Sequence, residues 1–254
     1  VKEPVVISTI RIFNESEVSS YEQVKKQYSD KGYRAAKGDS VKIQAEKTSY
    51  KSDPTMYPIY DRSSPASEPY HPSKIRLNTI GGNKWRYPNQ WLTWTIDVPE
   101  DGLYKIVLRA RQNEMRGMYA SRKLLIDWKV PFKEAETLPF KFDDAWQMYQ
   151  VGGDEEPYLF YMEKGRHEIT LSTTLGDLAE IIRTVEASLF ELNKAYRDVL
   201  MITGPDPDIY RDYKFEVLLP RAVNTFREQA VVLSEVSAKL YEYTKQRGSQ
   251  MAII

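Results

Sequence analysis

Cysteine is absent from the 254-residue chain. That excludes disulfides, thiol catalysis, iron–sulfur clusters and every cysteine-containing zinc site, and it leaves the compartment open. Histidine is scarce: His71 and His167 are the only two, too few for a multi-histidine metal centre. No apolar run approaches the ~18 residues that a spanning helix needs, so direct membrane insertion of this region is not expected. Neither sign of charge dominates, because 36 Lys and Arg face 36 Asp and Glu. Without a basic excess the chain is a poor nucleic-acid binder and a poor polybasic membrane-surface protein. No phosphate-binding glycine loop, nucleophile elbow or zinc-helix motif is present. The chain begins at Val1 and stops at Met251-Ala252-Ile253-Ile254. It is expected to be a stretch of a longer protein, so a missing leader says little.

What is there is ordinary globular material, 41% hydrophobic and 28% charged, enough for a real core at this length. At roughly 150 residues per domain, one or two domains are expected. Tyrosine is abundant, with 18 residues, and its flat apolar face with a polar tip suits strands, interfaces and sugar-binding surfaces alike. Val5 to Phe13 is β-branched and reads as a strand, followed by a helix-prone linker from Tyr21 to Tyr33. From Val41 to Thr173 the pattern is mostly β. Strands are expected at Val41–Ala45, Gln90–Val98, Leu103–Gln112, Lys123–Asp127, Gln147–Val151, Tyr158–Met162 and Arg166–Thr173. Residues 50–73, rich in Pro, Ser, Tyr and Asp, form a long ordered loop, which is unusual without a purpose. In Leu103–Gln112 the apolar Tyr104, Ile106, Leu108 and Ala110 alternate with Lys105, Arg109 and Arg111, as in a sheet with one buried and one wet face. Many short strands with regular turns point to an antiparallel β-sandwich.

The period changes after Gly176-Asp177, where Asp177 is a plausible N-cap. Leu178, Ile181, Val185, Leu189, Leu192, Tyr196 and Val199 step by three or four, as on a long amphipathic helix. Thr203-Gly204-Pro205-Asp206-Pro207 breaks it, and Leu219, Val223, Phe226, Ala230, Leu233, Val236, Leu240 and Tyr243 repeat the spacing, with Pro220 suited to a first turn. Two such helices make an antiparallel hairpin. The fold class is therefore mainly β with α. Residues 1–39 are a strand and linker from a preceding domain, 40–174 the sandwich and 175–254 the hairpin.

Several motifs carry a resemblance. Ile43-Gln44-Ala45-Glu46 resembles the opening I-E-A-E strand of family 6 and family 35 carbohydrate-binding modules. Gln90-Trp91-Leu92-Thr93-Trp94 resembles their G-D-W-x-x-Y strand, Val98 to Tyr104 with Leu108-Arg109-Ala110 their V-P-x-x-G-x-Y…R-x-A, and Leu125-Ile126-Asp127 their V-D-G hairpin. The resemblance implies a galactose-binding-like jelly roll. The runs YHPSKIRLNTIGGNKW, KVPFKEAE, EPYLFYMEKGRHEITL, TLGDLAEIIRTVE and MITGPDPDIYRDY resemble a region of large family 1 extracellular solute-binding lipoproteins of Gram-positive sugar ABC importers. This implies a non-catalytic accessory region outside the cell, attached to the surface through its parent. It also implies other domains of the same chain as partners, with Val5–Phe13 completing or flanking the sandwich. Two departures stand out. The modules' acids help hold a structural calcium, and Gln44 replaces the first of them, leaving Glu46 as the candidate ligand. Trp128 stands where a glycine makes the tight turn, so the turn must differ or carry strain.

Candidate ligand-binding residues cluster in two loops. Asn83, Trp85 and Tyr87 precede the Trp91 strand, and an aromatic face beside amide and hydroxyl groups is what a sugar needs. The competing reading is that Trp85 plugs the end of the core. Asn113 and Arg116 follow the Tyr104 strand and suit a ligand carboxylate, or simply form a solvated loop held by salt bridges. Arg62, Tyr70 and His71 either line the same edge or pin the long loop. His167 alternates with Ile169 and reads as a core-side residue. Asp143-Asp144 and Asp154-Glu155-Glu156 are neighbours in turns, not carboxyls facing across a cleft at ~5–9.5 Å. The stretch from Asp206 lacks the glycine and the final glutamate of a calcium loop, since Arg211 and Val217 stand there. The expected partner is an oligo- or polysaccharide; the alternative is a structural spacer or protein-docking platform without sugar binding.

Overall fold

The computed structural model describes residues 17–38, 40–114, 116, 119–176 and 178–244. The expected Val5–Phe13 strand and the Asp177 cap lie outside them. The elements are α1 (Tyr21–Asp30), β1 (Tyr50–Lys51), β2 (Trp91–Val98), β3 (Gly102–Lys105), β4 (Val107–Ala110), β5 (Tyr119–Ile126), β6 (Leu138–Lys141), β7 (Gln147–Gln150), β8 (Leu159–Met162), β9 (Gly165–Thr174), α2 (Leu178–Thr203), α3 (Phe215–Leu218) and α4 (Pro220–Thr244).

One layer is a five-stranded antiparallel sheet in the order β1-β2-β9-β5-β6. The other is built from the antiparallel pairs β3-β8 and β4-β7. Alternation in β2 sends Leu92, Trp94, Ile96 and Val98 into the space between the layers, where they meet Leu124, Leu171, Phe160 and Met162. The opposite face of β2 holds Thr93, whose hydroxyl pairs with that of Thr170 at 2.7 Å. The expected strand at Leu103–Gln112 is interrupted at Ile106, whose carbonyl accepts the Val151 N–H at 3.0 Å. Residues 152–158 leave the sheet beside this break.

Two expectations are corrected. Val41–Ala45 forms no ladder among the described residues, and Val41 and Ile43 are exposed; the edge beside β2 is taken by the two-residue β1. The stretch from Tyr21 to Tyr33, read as a linker, packs into the sandwich. Tyr21 and Val24 of α1 are buried in its core. The Tyr21 hydroxyl accepts the Leu159 N–H from the free edge of β8 at 3.0 Å. Its backbone N–H goes to the Glu134 carboxylate at 2.7 Å, and its ring lies 4.9 Å from Phe132 and 4.5 Å from Tyr158. After α1 the chain pairs in parallel with β3 at Ala35↔Leu103. That approach requires Gly102, because a Cβ there would sit 2.9 Å from the Ala36 nitrogen. β6 had no expected counterpart.

The Asp127-Trp128 turn keeps the type I′ form. Both residues have positive φ, 50° and 63°, and Ile126 and Lys129 exchange backbone hydrogen bonds at 2.9 and 3.0 Å. A left-handed backbone costs roughly 1–2 kcal/mol for an ordinary L-residue. Side-chain bonds offset this. Asp127 accepts the Glu168 N–H at 2.9 Å, and the Trp128 indole N–H donates to the Glu168 carboxylate. The half-exposed Trp128 ring meets Trp91 edge-on at 4.9 Å. His167 joins the same turn, with Nδ1 2.7 Å from Asp127 and Nε2 2.8 Å from the Glu163 carbonyl.

Beyond β9 the helices α2 and α4 pack on each other. They run antiparallel, since Glu180 near the start of α2 faces Lys239 near the end of α4 at 3.7 Å. At the junction Gly176 has φ +54°, and a Cβ there would meet Ser121 and Thr137 at 2.8 Å. No helix among the described residues is long and apolar enough to cross a membrane.

Two outcomes are expected. Tyr21→Ala lowers stability by about 3–5 kcal/mol in denaturant titration, as for other buried aromatics. Burial opposes charge on His167, but the bonds to Asp127 and to the Glu163 carbonyl outweigh it and raise its pKa above 6.5. Only imidazolium can donate to both acceptors. The resulting stability is therefore fully present below the ordinary histidine value and lost as pH rises through the raised one. The stability difference between wild type and His167→Gln should be largest below the ordinary histidine value and shrink as pH rises through the raised one.

Candidate functional site

The loops carrying the candidate residues leave one end of the sandwich, where β2 and β5 begin and β4 and β9 finish. The loop before β2 is organised by Gln90, a residue the sequence reading did not single out. Its buried side-chain oxygen accepts the N–H groups of Arg86 and Tyr87, both at 3.0 Å. Its amide donates to Asp53 at 3.3 Å. Its main-chain carbonyl accepts both the Trp85 indole N–H at 3.0 Å and the Thr173 N–H at 2.8 Å. The Thr173 hydroxyl also donates to the Tyr87 carbonyl. A Gln with three such contacts leaves the loop little freedom.

Within this frame the aromatic residues divide. Trp85 is half-buried and packs against the core. The Arg122 guanidinium stands 4.3 Å from its ring centre and donates to the Trp85 carbonyl at 3.0 Å. Arg122 projects inward from β5, opposite Thr173, and burial pulls its pKa down to about 10. Tyr87 instead is 57% exposed. The Arg86 guanidinium is held beside its ring at 5.1 Å and donates to its hydroxyl at 3.0 Å. Asn83 is exposed on the single 3-10 turn Gly82–Lys84. The structure therefore brings Asn83, Trp85 and Tyr87 onto one rigid loop. It places the exposed Asn113 and Arg116 on the loop between β4 and β5. The Arg116 guanidinium lies 5.5 Å from the Phe142 ring, and the Gln112 carbonyl accepts the Asp143 N–H at 2.8 Å. These contacts link that loop to the one between β6 and β7.

The long loop is pinned to the outer face of β4. Arg111 meets Asp61 at 2.6 Å with both side chains largely covered, and its guanidinium lies 5.0 Å from the Trp146 ring. The Trp146 indole N–H donates to Ser63 at 3.1 Å, and Arg109 donates to the Ala66 carbonyl and to Ser64. Burial alone would raise the Asp61 pKa, but the Ser63 hydrogen bonds and Arg111 hold it below the usual value. Asn78 clasps the Asp61 backbone from both sides. Trp146 was not among the expected site residues, and the face of Arg109 and Arg111, expected to be wet, is covered by the long loop instead. Tyr70 is exposed, and the His71 ring accepts two local N–H groups from Ser73 and Lys74.

Glu46 has one carboxylate oxygen buried without a hydrogen-bond partner among the described residues. Gln44 and Lys42 both turn to Glu68 instead. No group of three or more acidic, His or Cys side chains lies together among the described residues. Calcium takes six to eight oxygens from carboxylates, carbonyls and waters, so any calcium here would rest on Glu46 with carbonyls and water rather than on clustered acids. Of the adjacent acids, Asp143 accepts from Ala145 and Gln147 and Glu156 pairs with Lys25.

Arg111→Met leaves the covered Asp61 Oδ2 without its guanidinium partner, which should cost about 1–3 kcal/mol. Trypsin should then cut at Arg62, Lys74 and Arg76 faster than in wild type, with the far-UV circular dichroism unchanged.

No protein-family model matches the chain, and no curated protein matches it. Among solved structures it is similar to a cycloisomaltooligosaccharide glucanotransferase from Paenibacillus sp., at 20% identity and a TM-score of 0.38 over 61% of this chain and 21% of that one. It is similar to a family 35 carbohydrate-binding module from Clostridium thermocellum, at 11% identity and a TM-score of 0.31 over 38% of this chain and 67% of that one. It is also similar to the family 35 module of Abf62 from Cellvibrio japonicus, at 14% identity and a TM-score of 0.31 over 56% of this chain and 81% of that one. The matched region spans about a fifth of the glucanotransferase.

Proposed function

We propose that this region is a non-catalytic glycan-binding accessory, and that its site is the loop end carrying Tyr87. One observation carries the reading: an exposed tyrosine ring is held on a loop that the Gln90 side chain makes rigid. A sugar ring stacks on such a face through its C–H groups, and a pre-set loop loses little entropy on binding. Asn83 on the same loop supplies an amide, and Asn113 and Arg116 on the next loop supply groups for hydroxyl or carboxylate contacts. Trp85 acts here as the buttress beneath the loop, its N–H committed to Gln90 and its ring covered by Arg122.

The parent protein is proposed to be an extracellular solute-binding lipoprotein of a sugar importer, as the sequence resemblance implies. In that setting the region would hold a polymer near the importer while other domains deliver the solute.

The test is affinity electrophoresis of the chain through gels containing plant and bacterial polysaccharides. Retardation by one polymer is expected. Tyr87→Ala should weaken it about tenfold with the melting midpoint unchanged, whereas Trp85→Ala should lower the midpoint. Arg116→Ala should matter only for acidic polymers. A folded chain that no polymer retards, or one whose retardation ignores Tyr87→Ala, overturns the reading.

A further inference from the structure

The hairpin leaves one of its sides uncovered. The seam between its helices runs through Ser188 and Ala195 on α2 and Ala222 and Val236 on α4, all buried. Ile182, Leu189 and Tyr196 follow at seven-residue spacing, each one residue past a seam position and so roughly 100° around the helix. They remain 38%, 50% and 53% exposed. On α4, Phe226 and Ala230 sit four and eight residues past Ala222 and Leu233 three before Val236, at offsets of roughly 40–80°. In an antiparallel pair equal offsets turn to the same side, so both stripes face one way. The other side carries Thr184, Glu191 and Asp198 of α2 with Lys239 of α4. No strand makes more than marginal contact with either helix among the described residues.

We infer that this side is the interface with a second copy of the chain, and that two hairpins close into a four-helix bundle. A hairpin with one apolar side is half of such a bundle. The area is sufficient. With 26 residues in α2, a side roughly 39 Å long and two helices wide, at about 10 Å each, offers roughly 780 Å². A standard interface buries about 800 Å² per partner. The sandwich fixes the orientation. It is joined to the start of α2 through Gly176, and it is thicker than the roughly 10 Å between packed helices. Hairpins aligned head to head would drive two sandwiches into one another. The copies therefore run head to tail, with a sandwich at each end and α2 antiparallel to its counterpart. The two-fold axis then crosses the middle of α2, beside Leu189.

This inference is independent of the glycan reading, which uses other residues. Light scattering on the eluting chain should give about twice 29.6 kDa. The double variant Leu189→Glu, Tyr196→Glu should be monomeric with unchanged helical content and unchanged polysaccharide retardation. Because the chain has no cysteine, a single introduced thiol reports proximity directly. Leu189→Cys should form an interchain disulfide on mild oxidation, and Lys194→Cys, on the opposite flank of the same helix, should not. A monomer at high micromolar concentration overturns the inference. So does a dimer that survives the double variant, or equal cross-linking at both positions.

Discussion

Two sheets share a dry core only where something covers the gap between their margins, and this constraint organises the sandwich. The free edge of β8 and the segment before β6 leave such a gap, and α1 seals it. Tyr21 does so with three different groups: its ring joins Phe132 and Tyr158, its hydroxyl takes the unpaired Leu159 N–H, and its backbone binds Glu134. At the loop end the seal is Trp85 over the inward-facing Arg122. A guanidinium there satisfies the carbonyls of a tight loop that an aliphatic side chain would leave unpaired, and the indole face compensates part of its lost hydration. The site rests on this seal, because Gln90 can order the Tyr87 loop only while Trp85 stays beneath it.

How much of this was legible depended on whether the information is local. The alternation in Trp91–Val98 and Arg166–Thr173 located the two central strands, and the three-four spacing located both long helices. Those signals reflect a single face being buried. Val41–Ala45 alternates equally well yet joins no ladder among the described residues, because an edge position depends on what lies beside it rather than on its own pattern. β6 was hidden by Pro139, which a strand tolerates at a sheet edge. The role of α1 was hidden for another reason: its partners are more than a hundred residues away.

The site shows the same division. The candidate Asn, Arg and aromatic residues were expected in loops between strands, and the structure has them there. The sequence did not show which ring is committed inward. Trp85 and Tyr87 are two residues apart, and their different fates are decided by Arg122 and Gln90. Trp128 was legible as a conflict: a bulky residue at a position needing positive φ predicted strain. The structure keeps the turn and meets the cost with Asp127, Glu168 and His167.

The hairpin grows from β9, the central strand of the five-stranded sheet. This has a mechanical meaning. A pull on the helices along the strand axis would load the ladders to β2 and β5 together, in shear, so that many hydrogen bonds would have to fail at once rather than one after another. Had the helices followed an edge strand, the same pull could unzip it. With a glycine wedged against Ser121 and Thr137 at the joint, a load on the hairpin would pass straight into the middle of the sheet.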